Sequence, residues 1–516
     1  MSGTNTAKAP NVCLACKARK RRCDKSLPRC HFCAHRDRVC RYQYSTFDGR
    51  QRSVGAPVRS SPSRRSSSSF GTNDDACSAS NSTRNAHGQP VPPMSRDQTI
   101  QGSLCVEARR LLDITGLYLD EITIRYFQGI GTFVPMVDRA RFQSQLLASE
   151  PYPQPDFALL LACMGLVISS DKLPSRPRQD ETFLGQDITL YAATKALMAH
   201  VQALCPPTTR LVQAGVLISV YEYAHGYPDR AFVTIGTCAR MAYAAGLRSA
   251  PALTSPMSSQ TEWDSVEEEI NTWWTICICD RTYLCDVKVM DQPLGSVMPS
   301  GGSRLPLEYQ DFRALAWMGS IAGVAVEDLD SPKVGSFGRA SQAAWLLDDV
   351  LQGMSMKDPD RKQAHLIECD RRLQEFLATL MQQSGGDSRM FCVSIALTFR
   401  TLFLLHETLL ELNARERASD DGQIRISQSA LDTVTKMVID TAATHEHVAL
   451  TEVDRLPPSF MYVIRAALKH IQHSQSTTPD PQLLASLKQF EARWGASSGS
   501  ILSTRDAQNC GFILSI

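Results

Sequence analysis

Cys13, Cys16 and Cys23 map onto Cys30, Cys33 and Cys40 with a constant offset of 17 residues, so six cysteines fall in an internal repeat. The spacing is C-x2-C-x6-C-x6-C-x2-C-x6-C. Structural zinc takes about four tetrahedral ligands, so three thiolates in each half leave a position open. Two ions can be satisfied by six cysteines only if two of the sulfurs bridge both metals. The repeat implies that the bridging pair is symmetry-related, and a single ion would strand two thiols beside it. The x2 spacing lets two thiolates approach one metal from a tight turn that opens a helix. The x6 spacing returns the third ligand, and Pro28 helps the chain reverse between the halves. A disulfide framework would need an oxidising compartment, and the N-terminus has no apolar signal-peptide core. The expectation is therefore two Zn2+ held by Cys13, Cys16, Cys23, Cys30, Cys33 and Cys40. With every sulfur committed, none leaves a coordination position for a catalytic water, so an enzyme is not expected here.

The two halves differ in charge. Between Cys16 and Cys23 lie Lys17, Arg19, Lys20, Arg21 and Arg22, whereas the matching stretch of the second half, Ala34 to Val39, is much less basic. Residues 1–50 carry twelve Lys and Arg against three Asp, a local charge of +9 in a chain whose net charge is +1, so the other 466 residues sum to −8. A basic head on a mildly acidic body points to a localised polyanion contact. The first half is expected to face double-stranded DNA. Lys17, Arg19, Lys20, Arg21 and Arg22 would divide between base edges and phosphates, because Lys and Arg pair with the O6 and N7 acceptors of guanine. The same run is compatible with nuclear import. His31 and His35 are read as exposed or DNA-proximal.

Beyond the module the composition shifts. Residues 45–105 are rich in Ser, Arg, Asn and Pro and read as a disordered linker, after a flexible leader over 1–12 and the cysteine module over 13–44. From Val106 to residue 516, helical periodicity dominates and predicts a large all-α domain. Gly246 is expected to cap one helix, and Ser265, before three glutamates, to open the next. The apolar run Phe157–Ile168 is too short for a bilayer and right for a buried helix, so no membrane partner is expected. The overall composition, 43% hydrophobic and 21% charged, is that of a soluble globular protein. The scattered Cys163, Cys238, Cys277 and Cys279 read as reduced core residues. Trp273 and Trp274 read as an aromatic core pair, Asp280 and Arg281 as a helix salt bridge. His445-Glu446-His447 has its histidines two apart, which rules out one helix face; it is expected at the surface.

The text CLACKARKRRCDKSLPRCHFCAHRDRVCRY closely resembles the fungal binuclear zinc-cluster (Zn(II)2Cys6) transcription factors, in spacing, basic stretch, Asp24, Pro28 and the closing Cys-Arg-Tyr. The resemblance implies that Cys13 and Cys30 bridge the metals, that Lys20 reads bases while neighbouring cations bind phosphate, and that the target contains CGG triplets. A looser resemblance over residues 120–300 involves YFQGIGTFVPMVDRARF, AFVTIGTCARMAYAAGLRS and EEEINTWWTICICDRTYLCDVKVMDQPL, which are similar to that family's middle homology region. Asp291-Gln292-Pro293 stands where the family has Gly-Arg-Pro, and the His-Pro-Trp usual near Gly131 is absent.

The sequence thus predicts a nuclear, DNA-binding regulator of RNA polymerase II genes that works with the transcription machinery. Its layout is similar to pathway-specific regulators of secondary-metabolite gene clusters, and a homodimer through the helical domain is a further expectation. The competing reading is a zinc-stabilised interaction or scaffold protein without sequence-specific DNA binding. Against a ubiquitin-ligase-type module stands the lack of eight Cys/His ligands at cross-brace spacing.

Overall fold

A computed structural model describes residues 12–13, 16, 22–25, 30–35, 96–148, 153–169, 182–247, 260–307, 323–385, 391–415, 421–445, 450–474 and 480–495. Lys17, Arg19, Lys20, Arg21, Pro28, Cys40, residues 1–11 of the leader, and residues 45–95 of the predicted linker lie outside the described residues. The chain divides into two units, residues 1–88 and 89–516. In the first, the only described helix is the short α1 (His31–Ala34), with Cys30 at its N-cap.

The second unit is all-α. Its first group of helices is α2 (Arg96–Thr115), α3 (Leu119–Gln128), α4 (Arg139–Ala148), α5 (Pro155–Ser169), α6 (Thr182–Leu204), α7 (Thr209–Ala224), α8 (Pro228–Ala245) and α9 (Gln260–Leu284). The second group is α10 (Ser336–Met354), α11 (Pro359–Ser384), α12 (Cys392–Arg415), α13 (Asp421–His445), α14 (Ser459–His473) and α15 (Pro481–Trp494). Among the described residues no strand exceeds an isolated bridge, such as that between Arg304 and Ala325.

Each group is built around one largely buried helix. Every residue of α7 from Leu211 to Ala224 is buried, and α7 packs against α5, α6, α8 and α9. A helix buried around its whole circumference sits in a core, and its few polar side chains find partners there, as Glu222 does with Lys195. The approach of α8 to α7 depends on Gly215: a Cβ there would stand 2.6 Å from Cys238 Sγ. In the second group α12 packs against α10, α11, α13 and α14. By length and apolarity α12 would pass for a membrane span. Leu397, Phe399, Phe403 and Leu405 are nevertheless all within 1% of full burial, each inside the helical core. The apolar run on α5 is likewise buried from Pro155 to Ile168.

Local sequence sets the helix ends. Asp358 and Asp480 each accept hydrogen bonds from the first turns of α11 and α15, Pro359 and Pro481 occupy the first helical positions, and Gly385 and Gly495 close both helices in the left-handed region, at φ 54° and 62°. Gly246 closes α8 at φ 83°, as its position predicts. Two boundaries differ from expectation. The linker was predicted to run to residue 105, but α2 begins at Arg96, and Leu104 and Cys105 are buried. Only one side of α2 packs, against α5 and α6, so its first half carries too few apolar residues to announce a helix. Likewise α9 starts at Gln260 rather than at Ser265. The glutamates that suggested a helix start serve instead in ion pairs: Glu267 with Arg304 at 2.6 Å, and Glu268 with Arg141.

Candidate functional site

Five of the six repeat cysteines fall in the described residues, and they converge. Cys13, Cys16, Cys30 and Cys33 are fully buried, with Cys23 and Phe32 packed against them. The Sγ atoms of Cys13, Cys16, Cys23 and Cys30 lie within 4.8 Å of one another. The Cys13–Cys30, Cys13–Cys33 and Cys16–Cys30 sulfur distances are each 3.7 Å, and Cys16–Cys33 is 4.0 Å. A disulfide would require about 2 Å. Two thiolates about 2.3 Å from one zinc ion at the tetrahedral angle stand about 3.8 Å apart, so the packing suits a shared cation.

Backbone elements hold the sulfurs in place. Cys16 N donates to Cys13 Sγ at 3.4 Å, the tight-turn contact expected of a C-x2-C pair. Asp24 Oδ1 accepts from His31 N at 2.9 Å, so the aspartate after the third cysteine caps the helix that presents Cys33. Lys25, at φ 61°, turns the chain through the left-handed region next to it. Burial first, and then the neighbouring thiols, push the Cys16 thiol well above its usual range. Burial also raises Cys13. Arg22, His31 and His35 are exposed, and the two imidazoles lie 5.4 Å apart.

In the helical unit, Trp273 and Trp274 are buried core residues as predicted. Asp280 and Arg281 are buried too and form the expected ion pair, which is the lesser part of a network. Arg281 Nε donates to Asp348 Oδ1 at 2.9 Å and Nη2 to the Ser296 carbonyl at 2.9 Å, while its Nη1 stands 3.4 Å from Asp280 Oδ2. Asp280 Oδ2 accepts from Ser296 N and Oγ at 2.8 and 2.7 Å. Asp348 and Ser296 were not singled out from sequence, because nothing local marks a partner 67 residues away.

His445 corrects a prediction: it is 1% exposed, with its ring edge-on to Phe460 at 4.8 Å. Glu446 and His447 lie outside the described residues. One further cluster went unread: Asp349 on α10 meets His365 and Cys369 on α11, with ligand atoms within 4.8 Å of one another. Its signal was available, since His365 and Cys369 are four residues apart on one helix face.

Residues 123–290, from α3 to the turn after α9, match the family described as Fungal specific transcription factor domain. Transcription factor BOA15 of Botryotinia fuckeliana (strain B05.10) is 32% identical over 148 residues, which is 28% of this chain and 78% of that protein. No solved structure matches the chain. The chain, with its all-α unit, buried Trp pair and a cysteine cluster able to hold metal, belongs to the fungal transcription factor family and is a regulator of transcription.

Proposed function

We propose that this protein is a nuclear, sequence-specific DNA-binding regulator of RNA polymerase II genes, and not an enzyme, whose residues 13–40 hold two zinc ions. The observation that carries the reading is the set of sulfur distances. In the repeat, Cys13 corresponds to Cys30 and Cys16 to Cys33. The two symmetry-equivalent distances, Cys13–Cys33 and Cys16–Cys30, are both 3.7 Å, while Cys16–Cys33 is the longest of the four at 4.0 Å. That order suits bridging by Cys13 and Cys30, since Cys16 and Cys33 then belong to different ions. Cys13, Cys16, Cys23 and Cys30 would hold the first zinc, and Cys13, Cys30, Cys33 and Cys40 the second. The ions supply the fold of a module too small for a core of its own.

On this frame the basic stretch of the first half meets DNA. Lys20 reads guanine in a CGG triplet, and Lys17, Arg19, Arg21 and Arg22 chiefly meet phosphate. Paired triplets would engage a homodimer formed through the helical unit, which also meets the transcription machinery. Regulation of one secondary-metabolite gene cluster is the biological setting we assign.

Two measurements test the reading together: zinc per chain by atomic absorption, and binding of residues 1–50 to CGG-containing and scrambled duplexes. Two cluster ions with a preference for CGG support it. Bound zinc with equal affinity for both duplexes would instead make the module an interaction scaffold. Chromatin mapping then identifies the genes.

A further inference from the structure

We propose that Asp349, His365 and Cys369 form a second, mononuclear metal site, of zinc type, that clips α10 to α11 within the helical unit. Three types of ligand atom converge there from two helices. His365 Nε2 lies 3.2 Å from Asp349 Oδ1, and Cys369 Sγ lies 3.5 Å from His365 Nε2. Zinc bonds of about 2.0–2.1 Å to nitrogen and oxygen and about 2.3 Å to sulfur put tetrahedral ligand pairs about 3.4 Å (N to O) and about 3.6 Å (N to S) apart, close to both distances.

The surroundings hold these atoms in place. Arg372 Nη1 binds Asp349 Oδ2 at 2.5 Å, which leaves Oδ1 turned toward the other two ligands. A hydrogen-bonded ligand carboxylate of this kind is the usual outer-shell arrangement. Arg372 itself is steadied over the Trp345 ring at 4.9 Å. The imidazole is seated against Gly353, where any Cβ would come within 2.5 Å of His365 Cδ2. Cys369 is buried, whereas the His365 and Asp349 side chains are 29% and 25% exposed, so the site is open on the solvent side, where water completes the coordination. Three protein ligands and one open position is an established zinc arrangement.

A purely hydrogen-bonded trio explains the contacts less well. Nε2 also faces the Asp349 carbonyl oxygen at 3.2 Å, so one nitrogen that carries at most one proton faces two oxygens and a sulfur. Binding transfers the Cys369 thiol proton to solvent while His365 coordinates as neutral imidazole and Asp349 as carboxylate. The positive Arg372 keeps this site weaker than an all-thiolate cluster, and it fills last.

The test uses the full chain, loaded with zinc and dialysed, as wild type, His365→Gln and Cys369→Ala. Each variant is expected to bind one zinc fewer than wild type while keeping its helical circular dichroism. The same deficit is expected when each substitution is added to a Cys13→Ala chain, whose N-terminal cluster is broken. With cobalt(II) as the probe, the Cys13→Ala chain is expected to show a thiolate-to-cobalt charge-transfer band that Cys369→Ala abolishes. Should Cys369→Ala fail to fold, His365→Gln, at a partly exposed position, still reads the count. Equal metal content in wild type and His365→Gln overturns the proposal. Loss of zinc from the N-terminal cysteines alone bears on the other site and leaves this difference intact.

Discussion

Arg281 Nε donates to Asp348 Oδ1 at 2.9 Å, and this pair, 2% and 9% exposed at its side chains, joins α9, the last described helix of the family-matched region, to α10, the first described helix beyond it. Removing one partner of a buried pair strands the other. Arg281→Ala leaves Asp280 and Asp348 buried without their guanidinium and is expected to destabilise the helical unit by about 3–5 kcal/mol. Urea unfolding followed by circular dichroism reads this as a lowered midpoint. A midpoint within error of wild type would show that the network carries no stability.

Packing between α7 and α8 gives a second prediction. A Cβ at Gly215 would meet Cys238 Sγ at 2.6 Å and Met198 Cε at 3.0 Å. Gly215→Ala should therefore cost about 1–3 kcal/mol through overpacking. Cys238→Ala, added to it, removes the nearest clash and should recover part of the loss. Additive losses in the double variant would place the strain elsewhere.

The buried histidines predict a pH dependence. Burial lowers both His225 and His445 from the ordinary 6.5 to about 4. The unfolded chain then binds protons between those values that the folded chain refuses. Stability from these groups is complete above about pH 6.5 and is lost as the pH falls toward 4. His445→Phe, which keeps a ring against Phe460, should flatten part of the slope in that window. An unchanged slope in denaturant midpoints from pH 7 to pH 4 would exclude His445 as a contributor.

The DNA-reading proposal separates two neighbours. Lys20→Ala should cost about 1–3 kcal/mol on a CGG site and much less on scrambled DNA, because a guanine contact carries sequence information. Arg21→Ala should weaken both duplexes alike and reduce the salt slope by roughly one charge, as a phosphate contact releases about one counterion. Titrations of residues 1–50 at several salt concentrations distinguish them. Equal weakening of both duplexes by Lys20→Ala would move specificity to another residue.

Sequence was most legible where chemistry is local. The cap at Gly246 and the apolar run on α5 depend on residues within a few turns, and the cysteine repeat announces its own longer contacts by its exact spacing; the structure agrees with the contacts they imply among the described residues. It was least legible where a residue's partner is remote. His445 looked polar and exposed because nothing in its neighbourhood announces Phe460 arriving from α14. Glu267 and Glu268 looked like a helix start because Arg304 and Arg141, which they pair with, lie 37 and 127 residues away. Asp349 and His365 were invisible as a pair for the same reason, since only the packing of α10 on α11 brings them together.

Arg493, near the end of α15, donates to the Val167 carbonyl on α5 at 3.1 Å and pairs with Asp454, and Arg455 donates to the Gln128 carbonyl at the end of α3 at 3.2 Å. The last described helix therefore holds α5, and the turn at Leu450–Arg455 holds α3, each across more than 300 residues of chain. The boundary drawn by homology, 123–290, is thus not one at which the protein can be cut. A fragment ending there would lose the hydrogen bonds at Val167 and Gln128 and the neighbour of α9. During synthesis, the hydrogen bonds at Gln128 and Val167 can close only after Arg455 and Arg493 have emerged, so a chain cut ahead of α15 would leave the Val167 carbonyl without its Arg493 donor.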